Sequence, residues 1–206
     1  MVDIIVMRTG AHHRVTTMAQ FSSVPVINAM SDDFHPCQLL ADVLTFVEKR
    51  GAIRDARVAW IGDGNNVCHS WINAANQFGF DLKLSCPADY RPNTAVLERA
   101  KGRAQMVIDP YAAASGCDLI VTDTWFSIGQ EAEKEERLKA FEGYSVTESL
   151  LQAAHPDALF MHCLPAYRGV EVSAEVLDGP QSVVWEEAEN RLHAQKALIE
   201  FLLKGV

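Results

Sequence analysis

The sequence predicts an α/β protein with a doubly wound, mostly parallel sheet, and three observations lead to this prediction. Short apolar runs alternate along the chain with longer stretches of helical periodicity, as expected when helices cover both faces of a parallel sheet. Residues 57–86 form a clear βαβ unit, in which an apolar strand, a tight loop, a helical stretch and a second strand follow one another. Polar clusters at 62–66, 123–129 and 162–165 each follow a predicted strand, where the ligands of such sheets bind.

The individual elements follow from the same periodicities. Between residues 36 and 50, apolar residues recur at helical spacing and stop before Gly51, which predicts a helix that ends at a glycine. The predicted strands are 3–7, 24–28, 57–61, 81–86, 106–109, 119–122 and 159–162, and the other predicted helices are 67–78, 92–104, 146–154 and 188–203. The charged residues 131–137 are expected to form a solvated face, and His12 and His13 to lie in an exposed loop.

The composition argues against several classes of function. The formal net charge of −9 disfavours a nucleic-acid surface, which needs a basic patch. No apolar run approaches the ~18 residues of a membrane span. The five cysteines are odd in number and include no C-x-x-C pair, so we expect reduced thiols rather than a disulfide framework. Together with the short, polar start of the chain, this cysteine usage predicts a cytoplasmic protein.

The loop at 62–66 reads G-D-G-N-N and joins a predicted strand to a predicted helix. A dinucleotide fingerprint would have a third glycine where Val67 stands, so a nucleotide site is disfavoured. A tight turn with an asparagine cap explains most of the motif. Two adjacent asparagines exceed what such a turn needs, and their amides could hold an amino-acid substrate.

Two further motifs, at 35–38 and 123–129, begin with a residue that could bind a ligand. H-P-C-Q at 35–38 opens the predicted helix, with His35 and Gln38 on one face of an N-terminus that favours anions. Taken alone, this motif is better explained by a capping histidine and a surface glutamine. Asp123, which begins D-T-W-F-S-I-G at 123–129, suits the capping of a helix and the binding of an amine equally well.

The motif H-C-L-P at 162–165 follows the last predicted strand. The simplest interpretation of Cys163 is a buried structural thiol. A zinc site could be imagined from His35, Cys37, His162 and Cys163, but neither pair has the usual ligand spacing. We therefore expect no metal.

Taken together, the motifs resemble those of the ornithine carbamoyltransferase family. The matching segments, in family order, are H-P-C-Q-x-L-A-D at 35–42, G-D-G-N-N-V at 62–67, D-x-W-x-S-x-G at 123–129, H-C-L-P at 162–165 and E-N-R at 189–191. The resemblance extends from Asp3 to the C-terminus. It implies transfer of a carbamoyl group from carbamoyl phosphate to the δ-amine of L-ornithine, giving L-citrulline and phosphate in arginine metabolism, without a cofactor.

The resemblance also implies roles for individual residues. The expected catalytic residues are Cys163, Asp123 and His35. The expected carbamoyl-phosphate ligands are Arg8, His35, Gln38, Cys163, Leu164 and Arg191. The expected ornithine ligands are Asn66, Asp123, Ser127 and Ile128. The family usually has methionine at position 128, and the stiffer isoleucine is expected to affect loop closure or substrate tolerance.

The resemblance further predicts how the chain is organised. The S-T-R-T-R phosphate motif of the family has no equivalent in the 206 residues, so we expect most of the carbamoyl-phosphate domain to be missing and the chain to be inactive alone. Residues 1–35 are expected to be a remnant of that second α/β domain, 36–186 the ornithine-binding domain, and 187–206 a helix that returns toward the first domain. The intact enzyme is expected to be a homotrimer that binds small molecules, with neither nucleic acid nor membrane as a partner.

Two alternatives remain open. The first is a carbamoyltransferase for another amine, such as putrescine or an acylated ornithine, because Ile128 departs from the family pattern. The second is a non-catalytic fragment that binds a ligand or another subunit, which the absence of the phosphate motif favours. In either case, we expect Asp123, Ser127, Asn66 and Cys163 to meet in one pocket, and Arg8 to approach Arg191.

Overall fold

The structure begins with a small two-stranded unit. The computed structural model describes residues 2–126 and 134–204. Strands β1 (Ile5–Arg8) and β2 (Val26–Met30) pair in parallel, and helix α1 (His13–Phe21) connects them. The long helix α2 (Pro36–Arg50) then leads into the main sheet.

The main sheet has five parallel strands. Along the chain they are β3 (Arg57–Ile61), β4 (Asp81–Ser85), β5 (Ala104–Met106), β6 (Leu119–Thr122) and β7 (Leu159–His162). The helices between them are α3 (Asn66–Phe78), α4 (Thr94–Arg99), α5 (Pro110–Ala114), α6 (Lys134–Ala140) and α7 (Glu148–Leu151), and α8 (Ala174–Leu177) and α9 (Val184–Lys204) follow β7. The strand order β5-β4-β3-β6-β7 runs outward from β3 in both directions. The predicted doubly wound α/β fold is therefore confirmed.

Helices cover both faces of this sheet, so its strands are buried on both sides. Val58 and Trp60 of β3 pack in the apolar cluster that includes Trp71 of α3. The alternate residues Ala59 and Ile61 pack in a second cluster, which contains α5 and α7 side chains. Successive side chains of a strand point to opposite faces, so one short apolar run supplies both cores.

The C-terminal helix α9 closes the structure by packing along α2. Asn190 of α9 donates from Nδ2 to Thr45 Oγ1 at 2.9 Å and to Glu48 Oε2 at 2.7 Å. These bonds join residues that are more than 140 positions apart in sequence, so α9 brings the end of the chain back to the start of the main sheet. None of the helices in the described ranges is both long and apolar enough to span a membrane.

Several predicted boundaries are wrong, and the helix predicted at 92–104 is the clearest case. It is confined to Thr94–Arg99, because Asn93 caps it by accepting the Ala95 N–H at 2.8 Å. Its C-terminal side is interrupted where Lys101 has a φ of 50° and Gly102 a φ of 86°. A left-handed backbone cannot continue a right-handed helix, so the chain turns and enters β5 earlier than predicted.

The start of the chain also differs from the prediction. His13 begins helix α1 instead of lying in an exposed loop, and His12 is half-buried with Nδ1 2.9 Å from Ser31 Oγ. The helices α5 and α8 were not predicted, because each is too short to show a clear helical period, and α1 was not predicted because Val15 is its one buried residue and no apolar stripe marks it. Strands β1 and β2 each begin two residues later than predicted, at Ile5 and Val26.

Candidate functional site

The carboxyl ends of β3, β6 and β7 meet at one edge of the sheet, with Asp123 at its centre. Its carboxylate accepts hydrogen bonds from Asn65 Nδ2 at 2.7 Å, from Cys163 Sγ at 3.1 Å and from the Thr124 N–H at 2.7 Å. Asp123 is buried directly after the four buried residues of β6. A buried carboxylate needs such hydrogen-bond donors, and the loops after β3, β6 and β7 supply one each.

Cys163 takes part in this cluster as a thiol. Burial, followed by the charges of Asp123 and Glu187, raises the pKa of Cys163 well above its ordinary value. The thiolate is therefore suppressed at neutral pH, and the S–H donates to Asp123. In this state Cys163 can orient a group by hydrogen bonding, but it is not an activated nucleophile.

The two adjacent asparagines have different partners. Asn65 caps α3 by accepting the N–H groups of Val67 and Cys68, each at 3.0 Å, and its Nδ2 holds Asp123. Asn66 instead donates from Nδ2 to the backbone oxygen of Ser31 at 2.7 Å. Asn65, rather than Asn66, therefore provides the amide that contacts Asp123.

His35 and Gln38, at the start of α2, are both buried. The His35 side chain makes no capping hydrogen bond, and its backbone N–H donates to Ser70 Oγ at 2.7 Å. The interpretation of this motif as a capping histidine and a surface glutamine is therefore wrong. Burial, and then the charges of Arg191 and Arg8, lower the pKa of His35 to about 4, against an opposing effect of Asp123. The imidazole is neutral at pH 7 and can bind an anion only through a hydrogen bond.

Two arginines flank this neutral imidazole. Arg8 is exposed at the end of β1, and Arg191 is half-buried on α9. Both charges act on the pKa of His35, which places them on the same part of the site although 183 positions (191 − 8) separate them. Within the described residues, Nε of Arg191 and Nδ1 of His35 are buried without a hydrogen-bond partner. Unpaired polar atoms of this kind are uncommon and are often satisfied by a ligand or water.

The loop after β7 is held by His162 and Glu171. The Leu164 N–H donates to His162 Nδ1 at 3.0 Å, so the imidazole proton is on Nε2, which lies 3.3 Å from Glu171 Oε1. The latter contact is close but not aligned as a hydrogen bond. Leu164 has a φ of 52°, an unusual conformation for a leucine, and the His162 contact holds the backbone there.

Asp123, His162 and Cys163 also each offer a potential metal-ligand atom, all within 4.8 Å of one another. The donor set suits a metal poorly. His162 Nδ1 already accepts the Leu164 N–H, and Cys163 is held as a protonated thiol by burial. A metal would require a free imidazole nitrogen and a thiolate, so we assign none here.

Of the predicted solvated face at 131–137, the structure describes residues 134–137, and the prediction is wrong for Arg137. Arg137 of α6 is half-buried and donates from Nη1 to Asp63 Oδ2 at 2.8 Å and to the Trp125 oxygen at 2.7 Å. Burial raises the pKa of Asp63, and Arg137 opposes this shift. Helix α6 is therefore tied to the loops after β3 and β6. The predicted ornithine ligands Ser127 and Ile128 lie outside the described residues.

Two buried acids near the site were missed from the sequence. Asp42 lies one helical turn after Gln38 and is 1% exposed, and Glu187 on α9 is equally buried. Gln38 Nε2 donates to Asp42 at 2.8 Å and to Glu187 at 3.0 Å. Asp42 could have been identified from the sequence, because it is an acidic residue on the apolar face of α2. Glu187 could not, because its role depends on a contact with Gln38, which is 149 positions away.

Comparison with known proteins gives the same family along the whole chain. The model for the aspartate/ornithine carbamoyltransferase Asp/Orn binding domain matches residues 54–202, and the model for the carbamoyl-P binding domain matches residues 1–48. The ornithine carbamoyltransferase of Halorhodospira halophila is 60% identical over 205 residues, which are 100% of this chain and 68% of that protein. The chain thus spans about two thirds of that relative's length.

Solved structures agree in fold. The ornithine carbamoyltransferase from Pyrococcus furiosus superposes with a TM-score of 0.93 at 45% identity, covering 100% of this chain and 68% of that one. The enzyme from Burkholderia thailandensis superposes with a TM-score of 0.90 at 49% identity, covering 98% of this chain and 66% of that one. The motifs, the site geometry and these matches lead to one conclusion: the chain belongs to the aspartate/ornithine carbamoyltransferase family, on its ornithine branch.

Proposed function

We propose that this chain supplies the ornithine-binding half of an ornithine carbamoyltransferase, together with part of the carbamoyl-phosphate site. The observation that carries the proposal is the juxtaposition of opposite charges around a neutral histidine. Arg191 and Arg8 lower the pKa of His35 and Asp123 raises it, so charges of both signs lie near the imidazole. Such a site suits a reaction between a cationic amine and an anionic phosphoryl donor.

On the amine side, Asp123 is the proposed partner of the ornithine δ-nitrogen. A side-chain amine with a reference pKa near 10.4 requires about 4.6 kcal/mol to be present as the free base at pH 7. A carboxylate beside the nitrogen can hold the cation on arrival and take the proton that the nitrogen loses. Cys163 stays protonated and orients the nitrogen by hydrogen bonding. Asn66, Ser127 and Ile128 remain the proposed ornithine ligands alongside them.

In the proposed step, the δ-nitrogen attacks the carbamoyl carbon. A C–N bond forms, the C–O bond to phosphate breaks, and phosphate leaves with the electron pair. Asp123 takes the proton whose loss frees the nitrogen for attack, and the second proton, lost as the C–N bond forms, goes to the leaving phosphate. His35 and the backbone at Cys163 and Leu164 are proposed to stabilise the oxygen charge that develops at the carbonyl.

On the phosphate side, Arg8 and Arg191 are the proposed ligands of the anion. An arginine can bind phosphate through two parallel hydrogen bonds. The buried, unpaired Nε of Arg191 supports this role, since a phosphate oxygen would satisfy it. Gln38 is proposed to accept a hydrogen bond from the carbamoyl amide through Oε1, because its Nε2 protons are already used by two acids.

The proposed domain division assigns residues 1–35 to the carbamoyl-phosphate domain, 36–186 to the ornithine-binding domain, and 187–206 to the returning helix. The carbamoyl-P binding domain model extends to residue 48 and so includes most of α2, but the packing of Leu39, Val43 and Phe46 in the core of the five-stranded sheet supports assigning α2 to the larger domain. We also propose that the whole enzyme is a homotrimer and that it acts in the cytoplasm. The five free cysteines fit a reducing compartment.

Acceptor choice separates ornithine from other amines. We expect calorimetric titration to show stronger binding of L-ornithine than of putrescine or N-acetylornithine. Asp123→Asn should weaken ornithine binding by about tenfold or more, since a charged hydrogen bond is worth about 1.5–3 kcal/mol. Asp118→Asn, at the opposite end of β6, is the matched control and should bind normally. Equal binding of putrescine and ornithine would contradict the proposed substrate.

A citrulline assay separates the catalytic role from that of a ligand-binding fragment. The purified 206-residue chain contains no S-T-R-T-R segment, which in the family supplies at least an arginine and two hydroxyls. Losing two charge-assisted hydrogen bonds costs about 3–6 kcal/mol, or roughly a hundredfold to ten-thousandfold in rate. We expect this chain alone to be slower than an intact relative by that factor. Turnover within about tenfold of the relative would contradict the expectation.

A further inference from the structure

A chain of buried hydrogen bonds beneath the candidate site joins α2, β7 and α9. Gln38 Nε2 donates to Asp42 Oδ1 at 2.8 Å and to Glu187 Oε1 at 3.0 Å. The second oxygen of Glu187 accepts the backbone N–H of His162 at 3.0 Å. Gln38 Oε1 accepts a hydrogen bond from Arg191 Nη1. The network therefore connects a proposed carbamoyl ligand, a proposed phosphate ligand and the end of a strand.

The network determines which way the Gln38 amide points. Both protons of Nε2 are directed at carboxyl oxygens, and Oε1 faces a guanidinium group. A flipped amide would place N–H against guanidinium and oxygen against carboxyl, losing all three bonds. Gln38 thus presents an acceptor, and not a donor, to the site.

Asp42 and Glu187 form a buried carboxyl pair within this network. Each is 1% exposed, and a hydrogen bond joins the two side chains. Burial raises the pKa of Asp42 to about 7. Burial, the charge of Asp42 and the hydrogen bond to it raise the pKa of Glu187 well above its ordinary value. Since two buried carboxylates in contact repel each other, Glu187 retains its proton and donates to Asp42.

We propose that the Asp42–Glu187 pair, joined by one retained proton, is a positioning unit that fixes the Gln38 amide and the end of β7 from which Cys163 follows. The link between this unit and carbamoyl transfer rests on the proposed function. The retained proton and its hydrogen bonds are independent of that function. An apolar pair of similar volume would stabilise the protein at least as well, but it could not orient an amide. Orientation is therefore what the two acids contribute.

The charged and titratable groups around the pair come from several elements. Arg191 of α9 lowers the pKa of Asp42, and Asp123 after β6 raises it. Cys163 after β7 remains a thiol, because burial and the neighbouring acids raise its pKa. The imidazole at the start of α2 is already neutral. Among these groups, Asp42 is the one that changes charge near neutral pH.

Nuclear magnetic resonance on the full chain tests the unit without any ligand. The reporters are the backbone N–H of His162 and the side-chain amide of Gln38, each bonded to the pair. We expect both signals to titrate together with a midpoint near 7, the value to which burial raises the pKa of Asp42. Flat signals between about pH 5 and pH 9 would overturn the proposal, since isolated carboxyl groups titrate near 4.

Variants then assign the transition to the pair. Asp42→Asn should abolish the transition at both reporters. Glu187→Gln keeps position 187 neutral, so the transition should persist. Glu186→Gln is the matched control, because its half-buried carboxylate lies outside the network and pairs with Lys49 at 2.5 Å. An unchanged transition in Asp42→Asn, or its loss in Glu186→Gln, would overturn the proposal.

Carbamoyl phosphate binding, measured by calorimetry, connects the pair to the site. Glu187→Ala should lose about tenfold or more, whereas Glu187→Gln should lose several-fold less, because glutamine can still hold the His162 N–H and Asp42 although it gives up the bond from Gln38 Nε2. Equal losses in the two variants would indicate a merely structural role and overturn the proposal. The proposed function is tested separately, by the binding of ornithine. If the unaltered chain, which has no S-T-R-T-R segment, binds no measurable carbamoyl phosphate, the resonance titrations still decide the retained proton. They also decide it if Glu187→Ala does not fold.

Discussion

The two edges of the five-stranded sheet, at the amino and the carboxyl ends of its strands, carry pairs of polar side chains in opposite settings. At the amino edge, Arg103 contacts Asp81 at 2.9 Å with side chains 40% and 61% exposed. At the carboxyl edge, His162 and Glu171 lie 3.3 Å apart and are fully buried. Exposed pairs contribute about 0–1 kcal/mol, whereas a buried group that loses its partner costs several times more. The exposed pair at the amino edge is therefore expected to contribute little to stability, and the buried pair at the carboxyl edge to hold the loop after β7 in place.

The largest expected effect on stability comes from Glu171. Glu171→Ala removes the acceptor of the Tyr167 N–H and leaves the buried Nε2 of His162 without its neighbour. We expect the free energy of unfolding to fall by about 3–5 kcal/mol, because the substitution removes a hydrogen-bond acceptor and leaves a cavity where a fully buried side chain stood. Urea denaturation measures it, with Glu175→Ala, at an exposed position on α8, as the control. A loss below about 1 kcal/mol would show that this buried pair contributes no more to stability than an exposed pair, which would contradict the prediction.

His35 gives the next largest effect, and it depends on pH. Its pKa is lowered to about 4 in the folded chain, mainly by burial, so the unfolded chain binds the proton first as pH falls. Stability from the neutral imidazole is complete above the unfolded value of about 6.5 and is lost as pH falls toward 4, by about 3 kcal/mol in all.

The variant His35→Gln does not titrate, so its unfolding free energy should fall less than that of the unaltered chain over this pH range. Denaturation curves at several pH values give the difference. His193→Gln, at an exposed position on α9, should follow the unaltered chain. Parallel pH profiles for His35→Gln and the unaltered chain would contradict a neutral, buried imidazole.

Arg137 sharpens the comparison, because its ion pair is nearly buried although it joins a surface helix. The side chains of Arg137 and Asp63 are 12% and 16% exposed. Arg137→Ala should lower the free energy of unfolding by about 1.5–3 kcal/mol, since it leaves a largely buried carboxyl group without that donor. Thermal or urea unfolding measures this, and Lys139→Ala on the exposed face of α6 is the control. An effect equal to that of the control would contradict the importance of this pair.

The smallest effect is expected at the amino edge itself. Arg103→Ala removes exposed contacts to Asp81 and Asp55 at 2.9 and 4.0 Å. We expect the free energy of unfolding to change by less than about 1 kcal/mol, and the change to shrink further at high salt. Urea unfolding at two salt concentrations measures both. A loss of several kcal/mol would remove the distinction between the two edges.

How well the bounds of each element could be predicted depended on the strength of its apolar pattern. Strands β3, β6 and β7 and helix α2 have the predicted bounds, because each combines a strong apolar pattern with a clear end. The short helices α5 and α8 carry too few residues to show a period. Local turns at Lys101 and Gly102 shortened a predicted helix, and nothing in the apolar pattern indicated them.

The site was predictable to the extent that strand ends converge. Asp123 and Cys163 each follow a strand, and the structure brings their side chains to 3.1 Å. Asn65 was overlooked in favour of its neighbour, because which of two asparagines caps the helix depends on backbone geometry. The acid on α9 that meets Gln38 could not be inferred, since that contact requires the packing of two helices distant in sequence.

The protonated state of Cys163 has a consequence for the chemical durability of the site. Alkylating agents and peroxides attack thiolates, and burial together with Asp123 raises the pKa of this thiol well above its ordinary value. A half-buried cysteine in a candidate site is a natural target for such reagents. Here, burial and the aspartate that accepts the S–H both favour the protonated form, so we expect the thiol to react slowly with them.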